Sequence, residues 1–264
     1  MFMLDFLKDI TFKANDVVLR AIDLLMRNYI SIAGLCLLLF ITSNLSSFLA
    51  MYFDEINIFL KLVMLFFFMG LYFSLQLILL KNAVSLVKGG KSPGFWGYVP
   101  SLTQFLNYIF GLLIYSFIVL LIYCIMYVLL FPLLFLGVSM DTVRFEIHPF
   151  LTGLIMLFVL IRTTFFPFFI LENDFGTFKS YKFSLAMTKG NVGSLLMIIL
   201  IIAATHLLQL GTDYMGYSLV SKILSLVNSF LIVPVVSVVM SIMYVDMMKA
   251  YKGGSDPSLI ENII

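Results

Sequence analysis

Six long apolar runs, at about residues 29–50, 58–80, 105–136, 149–171, 192–210 and 223–248, constrain this chain more than any other feature. A helix rises about 1.5 Å per residue, so about 20 apolar residues cross the roughly 30 Å hydrocarbon layer of a membrane. Each run is of that order. Composition agrees: 62% of residues are hydrophobic and 11% charged, with a mean hydropathy of +1.11. That leaves too little polar surface to cover a water-soluble globule of 264 residues. The expected fold is an all-α membrane protein of six transmembrane helices forming a single domain over residues 1–264. The third run is overlong and is expected to tilt or to end at Pro132. Asp5 and Asp9 interrupt the opening segment and no small-residue cleavage site follows, so it is not read as a secretory signal and the first span stays.

Charge matters by position. Lys8, Lys13, Arg20 and Arg27 precede the first run; Lys81, Lys88 and Lys91 follow the second; Lys179, Lys182 and Lys189 follow the fourth; Lys249 and Lys252 follow the last. Those twelve fall on one side of the membrane. The other side has only Lys61, Arg144 and Lys222, beside Asp54, Glu55, Asp141, Glu146 and Asp213. Lys and Arg collect in cytoplasmic connections, so the expectation is a multi-pass inner-membrane protein with both termini cytoplasmic. A net charge of +2, with its lysines scattered, argues against nucleic acid as a partner. Membrane lipids, and a protein partner or a second copy, are the expected partners. Cys36 and Cys124 sit inside apolar runs, where a thiol behaves as a small hydrophobe.

The cytoplasmic segments share a design. Each odd-numbered run is preceded by an amphipathic or aromatic and basic stretch: "NDVVLRAIDLLMRNYISIAGL", "KSPGFWGYVPSLTQFLNYIFGLL" and "DFGTFKSYKFSLAMTKGNVGSLL". Gly34, Gly111 and Gly193 stand at comparable places, roughly eighty residues apart, a spacing that suggests three parallel repeats of interfacial elbow helix plus hairpin. In the first copy, residues 1–28 hold an interfacial helix over 14–28. Ala14, Val17, Val18, Ala21, Leu24 and Leu25 share its apolar face, with Asp16–Arg20 and Asp23–Arg27 opposite at i, i+4. In the third, Asp174 is the expected N-cap of an elbow helix over 175–189. Its seam of Thr177, Ser180, Ser184 and Thr188 should dock against the bundle, while Lys179, Lys182 and Lys189 reach lipid headgroups. Trp96, with Phe95 and Tyr98 and with Lys88 and Lys91 nearby, is expected at headgroup depth for the same reason.

The run "RTTFFPFFILENDFGTFKSYKFSLAMTKGN" resembles six-span bacterial inner-membrane proteins of the YciC-like group and the membrane domain of glycerophosphodiester phosphodiesterases. The matching positions are Arg162, Pro167, Glu172, Ser184, Lys189 and Gly190, and "NAVSLVKGGKSPGFWGYVP" is similar to an earlier elbow. Ser180 and Tyr181 depart from the pattern, which has Ala and Leu there. The resemblance implies a six-helix membrane unit without a settled activity; the phosphodiesterases carry catalysis on a soluble domain that has no counterpart in this sequence.

Catalytic patterns are missing. There is no H-E-x-x-H, G-x-S-x-G or P-loop, and neither His148 nor His206 has companions that would make a metal site, so no cofactor or metal is expected. Ser85 to Lys88 matches S-x-x-K only formally, and the glycosylation triplet at Asn44 lies within a span. The function expected is non-enzymatic, supporting envelope organisation or a membrane complex. The alternative is a transporter or lipid-handling protein, for which Pro132, Pro234, Gln76, Arg162, His206 and Asp246 would serve a path. Arg162 and Asp246 both lie within apolar runs, where an unpaired charge costs about 2.5 kcal/mol or more. Arg162 is therefore expected to pair with Asp246, or failing that with Glu172.

Overall fold

The structure is a computed structural model that describes residues 12–52, 57–89 and 94–251. Among them every regular element is helical. Helix α1 (Ala14–Tyr52) runs for 39 residues, with one non-helical residue, Asn28, inside it. The Asn28 amide nitrogen donates to the Leu24 carbonyl at 3.1 Å, keeping a partner for the backbone where the helix kinks. Helix α2 (Ile58–Val87) begins where Asn57 accepts the Phe59 N–H at 3.0 Å.

After a 3-10 turn, Phe95–Tyr98, helix α3 (Leu102–Leu130) opens with a reciprocal cap. Gln104 N–H donates to Ser101 Oγ at 3.2 Å, and Ser101 N–H to Gln104 Oε1 at 3.0 Å. At Pro132 the overlong third span leaves α-helical geometry and finishes as a 3-10 segment, Phe131–Leu136, closed by Gly137 at φ 86°. A short turn (Met140–Thr142) and a π-helical turn (Val143–Ile147) lead into α4 (His148–Thr163). The chain continues as α5 (Phe166–Asn173), α6 (Thr177–Met187), α7 (Val192–Tyr214) and α8 (Ser218–Val227). A second π-helical turn, Asn228–Ile232, then leads into α9 (Val233–Tyr251).

Six of these helical stretches are long and apolar enough to cross a membrane. Helices α1, α2 and α9 pack on one another and enclose the main core, α3 pairs with α4, and α7 pairs with α8. The hairpin of α5 and α6 joins the first two of these groups, touching α2, α3, α4 and α9. In their most apolar windows, the third and fifth spans bury only 11% of residues while the fourth buries 50%, so α3 and α7 lie at the periphery and the fourth span near the centre.

The 39 residues of α1 exceed the roughly 20 needed to cross the hydrocarbon, and the kink at Asn28 divides the amphipathic segment from the apolar run. Val17, Ala21 and Leu25, from the face expected to rest on the membrane surface, are buried in the same apolar cluster as Val84, Phe168, Phe183, Met243 and Met247. The elbow also differs in detail from the expectation. Asp174 does not cap α6: it closes α5 with a left-handed backbone, φ 53°. The N-cap of α6 is Gly176, which has no side chain to offer, and the helix spans only Thr177–Met187.

Candidate functional site: a filled joint and a neutral cleft

Two prolines interrupt spans, and what surrounds each defines a candidate region. Pro167 has no N–H to donate to Thr163, and its ring crowds that carbonyl. The fourth span accordingly breaks at Thr164–Phe165, between α4 and α5. Ser184 of α6 serves both sides of the break. Its hydroxyl donates to the Arg162 carbonyl at 2.8 Å and accepts the Phe165 N–H at 3.2 Å. Thr188 Oγ1 lies 2.8 Å from the Ser184 carbonyl and 3.4 Å from that of Arg162. Ser180 stays within its own helix, donating to the Gly176 carbonyl at 3.0 Å. All three hydroxyls are fully buried.

Rings fill the remaining space. Phe166 stacks between Tyr108 and Tyr181, with centroids 5.8 and 4.6 Å away, and a Cβ added at Gly111 would stand 2.5 Å from the Phe166 ring. Glycine at 111 is thus required by close approach. Tyr181 donates to the Gly111 carbonyl at 2.8 Å, Thr177 to that of Asn107 at 2.8 Å, and Gln104 to Asp174 Oδ1 at 2.6 Å. Burial raises the Tyr181 phenol well above its usual range, which keeps it a neutral donor.

The expected clamp between Arg162 and Asp246 is not formed. Asp246 pairs with Arg20, and Glu172 pairs with Lys88. The reason lies in α1: its first half runs beside the end of α9, so Arg20 reaches Asp246 and uses its Nε on the Asp16 carbonyl at 3.4 Å, whereas Arg27 takes Asp23 at 3.0 Å. Tyr244 adds a tie from α9 to α5, donating to Asn173 Oδ1 at 3.0 Å. Of the residues expected at headgroups, Lys88 is held by Glu172 and Lys179 lies over the Phe175 ring at 4.4 Å. Lys182, Lys189 and Trp96 are exposed, Trp96 by 84%, and Lys91 lies outside the described residues.

The second region surrounds Pro234. Its missing N–H would have served the Phe230 carbonyl, which instead accepts the Tyr29 hydroxyl at 2.8 Å. The preceding residues form the π-helical turn Asn228–Ile232, in which the Val233 N–H reaches back to the Asn228 carbonyl. Asn228 is buried and donates to Gln209 Oε1 at 2.6 Å, with His206 Nδ1 at 3.5 Å. His148 plays a structural part elsewhere, buried with its Nε2 3.1 Å from the Tyr123 carbonyl. Beside the π turn, α1, α2 and α9 leave a cleft of about 310 Å³. Its lining includes Phe40, Ser43, Tyr72, Gln76, Ser229 and Ser237, with Cys36 and several aliphatic residues, and holds no charged side chain. Gln76 Oε1 takes the Tyr108 hydroxyl at 3.3 Å, leaving its amide N–H groups as donors. The Tyr72 and Ser229 hydroxyls have no hydrogen-bond partner among the described residues. Gln76 and Pro234 stand out in the sequence; Tyr72 and Ser229 carry no signal there, because only the packing of three helices brings them together.

Among the described residues no group of three or more His, Cys, Asp or Glu side chains could hold a metal ion. No family model matches this chain, and no curated protein or solved structure does. Its helices make it an integral, multi-pass membrane protein.

Proposed function

We propose that the protein is a non-enzymatic membrane component that holds a neutral amphiphile, an acyl chain ending in an uncharged polar group, in the cleft between α1, α2 and α9. The single observation that carries this reading is the cleft itself: about 310 Å³ near the middle of three spans, apolar in most of its lining, with hydroxyl and amide groups and no charge. Ligand sites are typically apolar hollows with a few polar groups that fix orientation. A phospholipid headgroup would lose its hydration there without a counter-charge, whereas an ester or alcohol would find Gln76, Tyr72 and Ser229. The π turn at Asn228–Ile232 supports the reading, because such turns recur at functional sites. In this reading the basic end of the bundle faces the cytoplasm of an inner membrane, as the twelve-to-three distribution of Lys and Arg favours. The resemblance of the elbow to six-span inner-membrane proteins fits the same picture.

The test uses the full chain in vesicles containing a photoactivatable diacylglycerol. Label should concentrate on the cleft-lining segments around Phe40, Gln76 and Val233, and Ser229→Trp, which fills the space, should abolish it. Label spread over the outer faces of α3 and α7, unchanged by Ser229→Trp, would overturn the reading. A second reading, a structural subunit of a membrane complex or homo-oligomer, draws on those same faces, which bury only 11% of their most apolar windows. Cross-linking through α3 or α7 to another chain in the native membrane would favour it.

A further inference from the structure

Arg162 stands at the joint where α4 ends, α6 ends and α7 begins. Ser184 and Thr188 both approach its carbonyl, so the turn that carries Lys189 is fastened beside it. Asp246 and Glu172, the carboxylates nearest in expectation, are engaged by Arg20 and Lys88. Among the described residues no carboxylate lies within ion-pair distance of Arg162. Its side chain is nevertheless half-buried, and a guanidinium does not shed its charge. A cation partly withdrawn from water calls for an anion.

Depth identifies the anion. The apolar run of α7 begins at Val192, and Thr188, four residues before it, approaches the Arg162 carbonyl, while the α5–α6 hairpin carries the ion-paired Glu172. The joint therefore falls where hydrocarbon gives way to headgroups, and the anions at that depth are lipid phosphates. We propose that Arg162 binds the phosphodiester of an anionic membrane lipid. The guanidinium can meet two phosphate oxygens at once, which a lysine cannot do. This site is separate from the neutral cleft, and either can fail without the other.

The test reads bound lipid directly. The full chain is reconstituted in phosphatidylcholine doped with phosphatidylglycerol, and native mass spectrometry counts the phosphatidylglycerol retained on release. Arg162→Gln should lower retention about tenfold, and Arg162→Lys should restore part of it. The Ser184 hydrogen bond is to the backbone of Arg162, so these variants keep the joint; thermal melting confirms that they are folded. Unchanged retention in folded Arg162→Gln would overturn the proposal, as would displacement of the bound lipid by inorganic phosphate, which would make the ligand a soluble anion. Should Arg162→Gln not fold, full retention in folded Arg162→Lys, which cannot meet two phosphate oxygens at once, would overturn it equally.

Discussion

The fourth and sixth spans are both broken by a proline, and the two breaks have opposite surroundings. At Pro167 a neighbouring helix lays Ser184 across the gap, one hydroxyl completes both a carbonyl and an N–H, and Phe165, Phe166, Phe168 and Phe169 are buried about it. At Pro234 the span absorbs the defect as a π turn, Tyr29 serves the Phe230 carbonyl, and the neighbouring helices leave a cleft of about 310 Å³. Proline decides where a helix yields. The adjacent helix offers different groups at the two breaks: at Pro167 a small hydroxyl residue permits close approach, and at Pro234 a long tyrosine reaches the Phe230 carbonyl.

The comparison implies unequal costs. Ser184→Ala should have the largest effect, because it strands the N–H of Phe165, which is 0% exposed, and leaves the Arg162 carbonyl only a 3.4 Å contact with Thr188. The expected loss is about 2–3 kcal/mol, seen as a marked drop in melting temperature in detergent. A loss below that of any single exposed hydrogen bond would mean that the joint is not held by its hydroxyl, and the contrast between the breaks would disappear.

Tyr29→Phe should cost less, about 0.5–1.5 kcal/mol, because it removes one hydrogen bond from a residue that is 38% exposed. The same variant frees the Phe230 carbonyl beside the cleft, so photolabelling there should change more than stability does. Equal destabilisation by Ser184→Ala and Tyr29→Phe would show the two breaks to be energetically alike.

Much of this could be read from the residues. Hydropathy locates six spans because lipid forces each to satisfy its own backbone, which makes a membrane helix a local property of about 20 residues. The 3.6 period likewise sets Thr177, Ser180, Ser184 and Thr188 on one face of α6, and the structure buries all four. Pairing between distant charges is different in kind. Arg20 and Asp246 are separated by 226 residues, and their meeting depends on the first half of α1 running beside the end of α9, which no local pattern states. The periodicity of residues 14–28 offers Arg20 only the acids of its own helix, whereas the structure brings it to Asp246. Asp174 departs from its pattern for a related reason: Asp caps helices often, but here a left-handed residue closes α5, and its carboxylate accepts from the Gln104 amide.

The smallest effect bears most directly on whether the two broken spans are tied to each other. The structure gives the acid of the sixth span to α1, leaving Arg162 of the fourth span outside that pair. Arg20 is about half exposed, with 51% of its side-chain surface accessible, so the pair is screened and should be worth no more than about 1 kcal/mol. Its partner identity is nevertheless measurable. In a double-mutant cycle, Arg20→Ala with Asp246→Ala should show coupling of up to about 1 kcal/mol that shrinks as salt is raised, whereas Arg162→Ala with Asp246→Ala should add within about 0.5 kcal/mol. Coupling of the second pair instead of the first would mean that α4 and α9 are clamped together by charge. The elbow would then owe its position to an ion pair that Ser184→Ala leaves intact, and the large loss expected for that variant would not be seen.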